Sequence, residues 1–198
     1  MTTGQKIYLP FKRLIGIFGS ILGIIFCFVL LWWWVMPVNA IVTKGHPFFN
    51  RNRIGKNGKE FLFLKFRTMK NDANPNMTAR QEDVSRNLTG FGKFLRITSI
   101  DETLQLFNIF VGQMAFIGPR PLLYTGEDIT TIEKRKENGS IKLRPGLTGY
   151  AQIHKRGDLD PAEKAEYDEI YLKHFSLWWD TKIFVYTVLR LFGAVKGR

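Results

Sequence analysis

Cysteine is nearly absent: Cys27 stands alone in 198 residues, so no disulfide can form within the chain. That excludes a disulfide-stapled scaffold and fits a reducing compartment. Internal repeats and low-complexity tracts are lacking as well, and 198 residues allow one domain with a real core plus an appendage. Histidine is sparse, with only His46, His154 and His174. Acids are outnumbered, 17 against 29 Lys and Arg, for a net charge of +12. A surplus of this size points to an anionic partner: nucleic acid, a phospholipid surface or a phosphorylated small molecule.

Charge is missing altogether between Leu14 and Thr43. The run LIGIFGSILGIIFCFVLLWWWVM exceeds the roughly 20 apolar residues a helix needs to cross ~30 Å of hydrocarbon. A signal peptide is a competing reading, with small residues at Val38-Asn39-Ala40, but its apolar core is only about 7–15 residues long. An anchor is the expectation. Basic residues flank it on both sides, Lys6, Lys12 and Arg13 before it, Lys44, Arg51 and Arg53 after it. A straight crossing satisfies the preference for basic cytoplasmic flanks at one end only; a segment that enters, bends and returns satisfies it at both. Pro37 offers a bend, and Asn39 beside it could satisfy freed backbone groups. The residues alone leave spanning and re-entrant forms open.

Aromatics are plentiful, at 14% with five Trp, as suits side chains at a membrane interface. Asn57-Gly58 signals a β-hairpin between two partly alternating runs. Between Lys44 and Lys70 stand eight Lys and Arg against one acid, Glu60; Lys65 and Arg67 in KFRTM are strand charges or part of a phosphate site. Residues 71–90 read as a loop or short mobile helix and 126–140 as an exposed helix of mixed charge. Asp160, Pro161 and Glu163 form a capping box that opens a helix. The final segment from Leu177 is a helix with a wide apolar face, which either lies in a membrane surface or packs on the core.

The stretch SIDETLQLFN carries two adjacent acids in this basic chain, Asp101 and Glu102. Ser99 and Glu102 read as a capping box, which would make both acids ordinary helix-start residues. The same start would also favour a bound phosphate. Arg96, Arg120 and Arg144 sit in LRITSIDE, GPRP and LRPGLTG, where Gly and Pro fix the backbone around a guanidinium fork suited to phosphate oxygens. Two adjacent carboxylates can divide labour on a phosphoanhydride. One attacks phosphorus, and the other holds Mg²⁺, an oxygen-seeking cation. A carboxylate nucleophile is already ionised near neutral pH and needs no histidine base.

KFRTM, LRITSIDETLQLFNIFVGQMAFIGPRP and LRPGLTGYAQI, in that order and spacing, resemble the monotopic phosphoglycosyl transferases, the bacterial sugar transferase family, over about Lys12 to Leu191. The resemblance implies an α+β, mostly helical fold: a re-entrant membrane helix over 1–43, then over 44–198 a small β-hairpin and amphipathic interfacial helices around a compact catalytic domain. It implies transfer of a phospho-sugar from a UDP-sugar to undecaprenyl phosphate, with release of UMP and a phospho-aspartyl intermediate, at the start of surface glycan assembly. Asp101 carries over as the nucleophile and, with Glu102, as the Mg²⁺ site. Arg120, Arg144 and Gly146 carry over as phosphate- and nucleotide-binding positions, and Lys65, Arg67 and Arg96 as further substrate contacts. The implied partners are the UDP-sugar, undecaprenyl phosphate and membrane phospholipid, with no nucleic acid, at the cytoplasmic face of a bacterial inner membrane. The chain departs from the family pattern at Thr103-Leu104, where Leu-Pro is common, at Gln113-Met114-Ala115, Ile15-Gly16 and Met36, and at HKRG, His154 to Gly157. The rival reading from charge alone is a membrane-anchored basic module that binds acidic lipid or nucleic acid without catalysis.

Overall fold

A computed structural model describes residues 2–70, 87–126, 128–154 and 159–191. The polar stretch 71–86, most of HKRG and the last basic residues, Lys196 and Arg198 among them, lie outside the described residues. The fold is mostly helical, with two small two-stranded sheets. It divides into two compact units. One comprises Met1–Phe18, Asn52–Phe61 and Ile109–Arg198; the other comprises Gly19–Arg51 and Leu62–Asn108.

The uncharged segment is helical throughout: α1 (Thr3–Cys27), a π-helical stretch Phe28–Trp32, and α2 (Trp33–Val42). Together they make 40 residues long and apolar enough to cross a membrane. Its apolar side chains face outward, Phe11, Phe18, Leu22, Phe26, Phe28 and Trp33 among them, the reverse of a soluble core helix. The helical run does not break at Pro37, which lies within α2; the irregularity falls one turn earlier, in the widened π stretch. The proline ring crowds the carbonyl four residues before it, that of Trp33, and a wider preceding turn relieves such crowding. Asn39 does not serve its own helix through its amide. Buried, its Nδ2 donates to the Pro47 carbonyl (2.8 Å) and the Arg67 carbonyl (3.1 Å).

Strands β1 (Arg51–Ile54) and β2 (Glu60–Phe63) form the first small sheet, joined by a 3₁₀ turn Lys56–Gly58 in which Asn57 (φ 59°) and Gly58 (φ 75°) take left-handed conformations. In the unit that contains Lys65, α3 (Gly90–Ile97) is capped by Thr89 and packs on the extended KFRTM segment. Gly92 makes this possible: a Cβ there would stand 1.9 Å from the Thr68 carbonyl oxygen. Helix α4 (Gln105–Val111) follows the acidic pair.

In the other unit, β3 (Ala115–Ile117) and β4 (Gly146–Thr148) pair in parallel, Ala115 opposite Gly146 and Ile117 opposite Thr148. Helix α5 (Asp128–Asn138) has one buried side, Thr131, Ile132 and Arg135, and so is not the wholly exposed helix its charges suggest. Its Arg135 reaches Asp168 on α7 (Pro161–Lys173), with both side chains buried. The short α6 (Tyr150–His154) precedes α7, and Asp160 caps α7 through the amides of Ala162 and Glu163, as its sequence requires. Helix α8 (Leu177–Leu191) buries Asp180 and Ile183 and leaves Leu177, Trp178, Phe184, Val185 and Leu189 outward. The core of this unit gathers Ile117, Leu143, Tyr171, Phe175 and Ile183.

Candidate active site

The acidic pair does not open a helix. Ile100–Glu102 is a single 3₁₀ turn, and the α-helix begins later, at Gln105. Ser99 is left-handed (φ 57°), whereas a capping residue needs extended backbone, so its hydroxyl caps nothing. The capping-box expectation is therefore corrected, and with it the expectation of a helix-start phosphate site. The turn is held instead by long-range backbone pairing: the Phe66 amide donates to the Asp101 carbonyl (3.0 Å).

That hydrogen bond brings KFRTM beside the acids. Lys65 Nζ lies 2.7 Å from Asp101 Oδ2 and 3.6 Å from Glu102 Oε1, so one ammonium serves both carboxylates. Asp101 is only 2% exposed, while the Glu102 side chain remains partly open. Burial pushes the Asp101 carboxyl above the ordinary aspartate value; Lys65 draws it back down, and Arg96 helps. The Arg96 Nε donates to the Thr68 hydroxyl (3.0 Å), which ties the guanidinium to the KFRTM segment. Arg67 faces elsewhere, its guanidinium 5.5 Å from the centre of the Phe49 ring. Asp101, Glu102, Lys65 and Arg96 are thus gathered in one unit. Buried Asn108 supports them: its Nδ2 donates to the Leu62 carbonyl (2.8 Å) and its Oδ1 accepts from the Leu64 amide (3.2 Å), fixing the chain that leads to Lys65. A lone polar residue in the apolar run LFNIFV is the sequence signal for it.

Mg²⁺ prefers oxygen ligands and commonly takes one or two carboxylates, with water and substrate phosphate completing its shell. Asp101 and Glu102 already converge on one positive group, the Lys65 ammonium, so the donor set fits such an ion. Among the described residues no cluster of three or more acidic, His or Cys side chains forms a dedicated metal cage.

Arg120, Arg144 and Gly146 belong to the other unit. There the GPRP and RPGLTG segments meet backbone to backbone: the Gly146 amide donates to the Pro119 carbonyl (2.9 Å) and the Gly118 amide to the Thr148 carbonyl (2.9 Å). A Cβ on Gly146 would stand 2.1 Å from the Gly118 nitrogen, and one on Gly118 2.3 Å from the Arg144 oxygen. Glycine at 146 is accordingly a packing requirement. Arg120 is exposed, and Arg135 holds its backbone carbonyl (3.0 Å). Arg144 donates through Nε to the Gly112 carbonyl (2.9 Å) and opens onto a cavity of about 240 Å³. Lys12, Arg13, Lys56 and Lys142 line the same cavity, and Lys12 alone of these five cations has a described carboxylate partner, Asp180. Burial lowers the Lys56 and Arg144 pKa values, and neighbouring cations lower them further. Of this cluster the sequence reading singles out only Arg144, because the others come from segments far apart in the chain.

A family model described as bacterial sugar transferase matches residues 7–194. Similar proteins include the galactosyl transferase CpsE of Streptococcus agalactiae serotype III (strain NEM316), 35% identical over 89% of this chain and 41% of its own. The UDP-glucose:undecaprenyl-phosphate glucose-1-phosphate transferase of Klebsiella pneumoniae is 36% identical over 94% of this chain and 41% of its own. The uncharacterized sugar transferase EpsL of Bacillus subtilis (strain 168) is 33% identical over 91% and 86%. The chain therefore spans about two fifths of the length of the first two relatives and most of the third.

Proposed function

We propose that this chain, which belongs to the bacterial sugar transferase family, transfers a phospho-sugar from a UDP-sugar to undecaprenyl phosphate and releases UMP. The observation that carries the reading is the buried Asp101 carboxylate held at 2.7 Å from Lys65, with Glu102 adjoining it. An Asp101 oxygen lone pair forms a bond to the β-phosphorus of the donor, and the bond from that phosphorus to the bridging oxygen breaks. UMP leaves with the electron pair. A phosphate oxygen of the lipid acceptor then attacks the same phosphorus and frees the carboxylate. No proton need be removed from either nucleophile, which suits a site with no histidine among the residues gathered there. Lys65 and Arg96 offset charge on the transferring group. Mg²⁺, held by Glu102 and Asp101, would supply charge neutralisation at the donor phosphates. The cations around Arg144, together with exposed Arg120, suit a phosphate group bound in their own unit.

Residues 1–43 serve as a re-entrant anchor, and 44–198 work at the cytoplasmic face of the inner membrane. Basic flanks on both sides of the apolar run and the outward apolar side chains of α1, α2 and α8 support this. The test is UMP release with Mg²⁺ and each of UDP-glucose, UDP-galactose and UDP-N-acetylgalactosamine. One of these donors is expected to turn over, and Asp101→Asn to abolish release by about 10³-fold or more. Acid quenching of the wild type with labelled donor should yield a phosphopeptide containing residue 101, and Glu102→Ala should lose its Mg²⁺ dependence together with activity. Full activity of Asp101→Asn would end the proposal.

A further inference from the structure

Three tryptophans stand in a row, and the structure treats them differently. Trp33 is exposed to the outside, and Trp34 donates its indole N–H to Leu30 of its own helix (2.9 Å). Trp32 is buried at 5% exposure; it stacks on Phe107, with ring centres 5.3 Å apart and planes 27° apart. Its Nε1–H donates to the Thr103 hydroxyl (2.9 Å), and that hydroxyl donates to the Ile100 carbonyl (2.8 Å). Thr103 directly follows Glu102, and Ile100 directly precedes Asp101. An unbroken chain of two hydrogen bonds thus runs from the apolar helix to the turn that carries both acids.

Trp32 is also the last residue of the π stretch. A π turn fits an additional residue into the helix and so rotates the side chains that follow relative to those before. A hydroxyl at 103 is essential to the chain of bonds, since it must both accept and donate. The turn is also fixed by the Phe66 amide at the Asp101 carbonyl. Backbone pairing and the indole-hydroxyl tie therefore both hold the turn.

We propose that Trp32 and Thr103 are positioning residues: through the indole–hydroxyl–carbonyl chain the apolar helix sets the orientation of the Asp101-Glu102 turn. The proposal rests on the reading of Asp101 as the nucleophile. Neither residue touches the reacting atoms, so their loss affects turnover and leaves donor affinity alone.

The test uses the full chain in nanodiscs, with whichever of the three UDP-sugars turns over. Trp32→Phe keeps an aromatic ring beside Phe107 and removes the N–H. Its kcat for UMP release is expected to fall about tenfold, with KM within twofold. Thr103→Val should do the same, while Thr103→Ser, which keeps the hydroxyl, stays within twofold of the wild type. The Trp32→Phe/Thr103→Val double variant should be no slower than the slower single variant, because both break one chain. Multiplying losses, or single variants within twofold of the wild type, overturn the proposal. If Trp32→Phe fails to fold, the Thr103 pair decides alone, and equal rates for Ser and Val overturn it. Asp101→Asn separates the two levels: an inactive Asp101→Asn beside a fully active Trp32→Phe removes the tie and leaves the nucleophile, whereas an active Asp101→Asn removes the nucleophile itself.

Discussion

Asp101 combines burial with a charge it must carry to act as the proposed nucleophile. Its folded pKa lies above the ordinary value of 3.8, so the folded chain binds this proton more tightly than the unfolded chain. The group's contribution to stability is therefore present at low pH and is lost as pH rises through the interval above 3.8. At neutral pH the ionised carboxylate opposes folding, and Asp101→Asn should melt at the same temperature as the wild type or higher. Lys65 acts in the other direction, drawing the carboxyl down. Lys65→Met should accordingly shift the acid limb of kcat/KM upward, besides lowering the plateau. A pH–rate profile for UMP release checks this, and an unmoved limb contradicts it.

Elements differ in how far the residues announce them. The uncharged run declares the N-terminal helix by length alone, and Asp160-Pro161 with Glu163 declares α7, because both signals are local. The parallel pairing of β3 with β4 joins three-residue strands from distant parts of the chain, too short to show a period. Ser99 and Glu102 have the spacing of a capping box, yet the left-handed backbone at Ser99, set by the docking of this turn on Phe66, cancels it. Lys65 and Arg96 were visible as basic residues in motifs, but their convergence on Asp101 was not, since it depends on Gly92 letting α3 approach Thr68. At the β3–β4 contact the atoms obstructing a side chain on Gly146 are main-chain atoms of Ile117, Gly118 and Thr148, which cannot rotate away. Gly146→Ala should cost at least about 3 kcal/mol. Chemical denaturation in detergent should show it, and a loss below 1 kcal/mol would refute the packing account of this glycine.

At the scale of the molecule, the apolar side chains of α1, α2 and α8 point outward, and the basic residues that flank the long helix stand at both ends. The proposed re-entrant anchor puts both ends on one side of the bilayer, so cysteines placed singly at Thr2 and at Lys44 in a Cys27→Ala background should react with an impermeant maleimide only from the cytoplasmic face. Labelling of the two positions from opposite faces would establish a simple crossing instead. Since Cys27 is the single native thiol, one substitution clears the background. The outward apolar surface also has a consequence for handling. If lipid covers this surface as proposed, its removal leaves another copy of the same surface as the nearest substitute, and the protein should then cluster through these faces. The size of a particle seen on a sizing column then reports the amphiphile around it, and stoichiometry is meaningful only inside a membrane mimic.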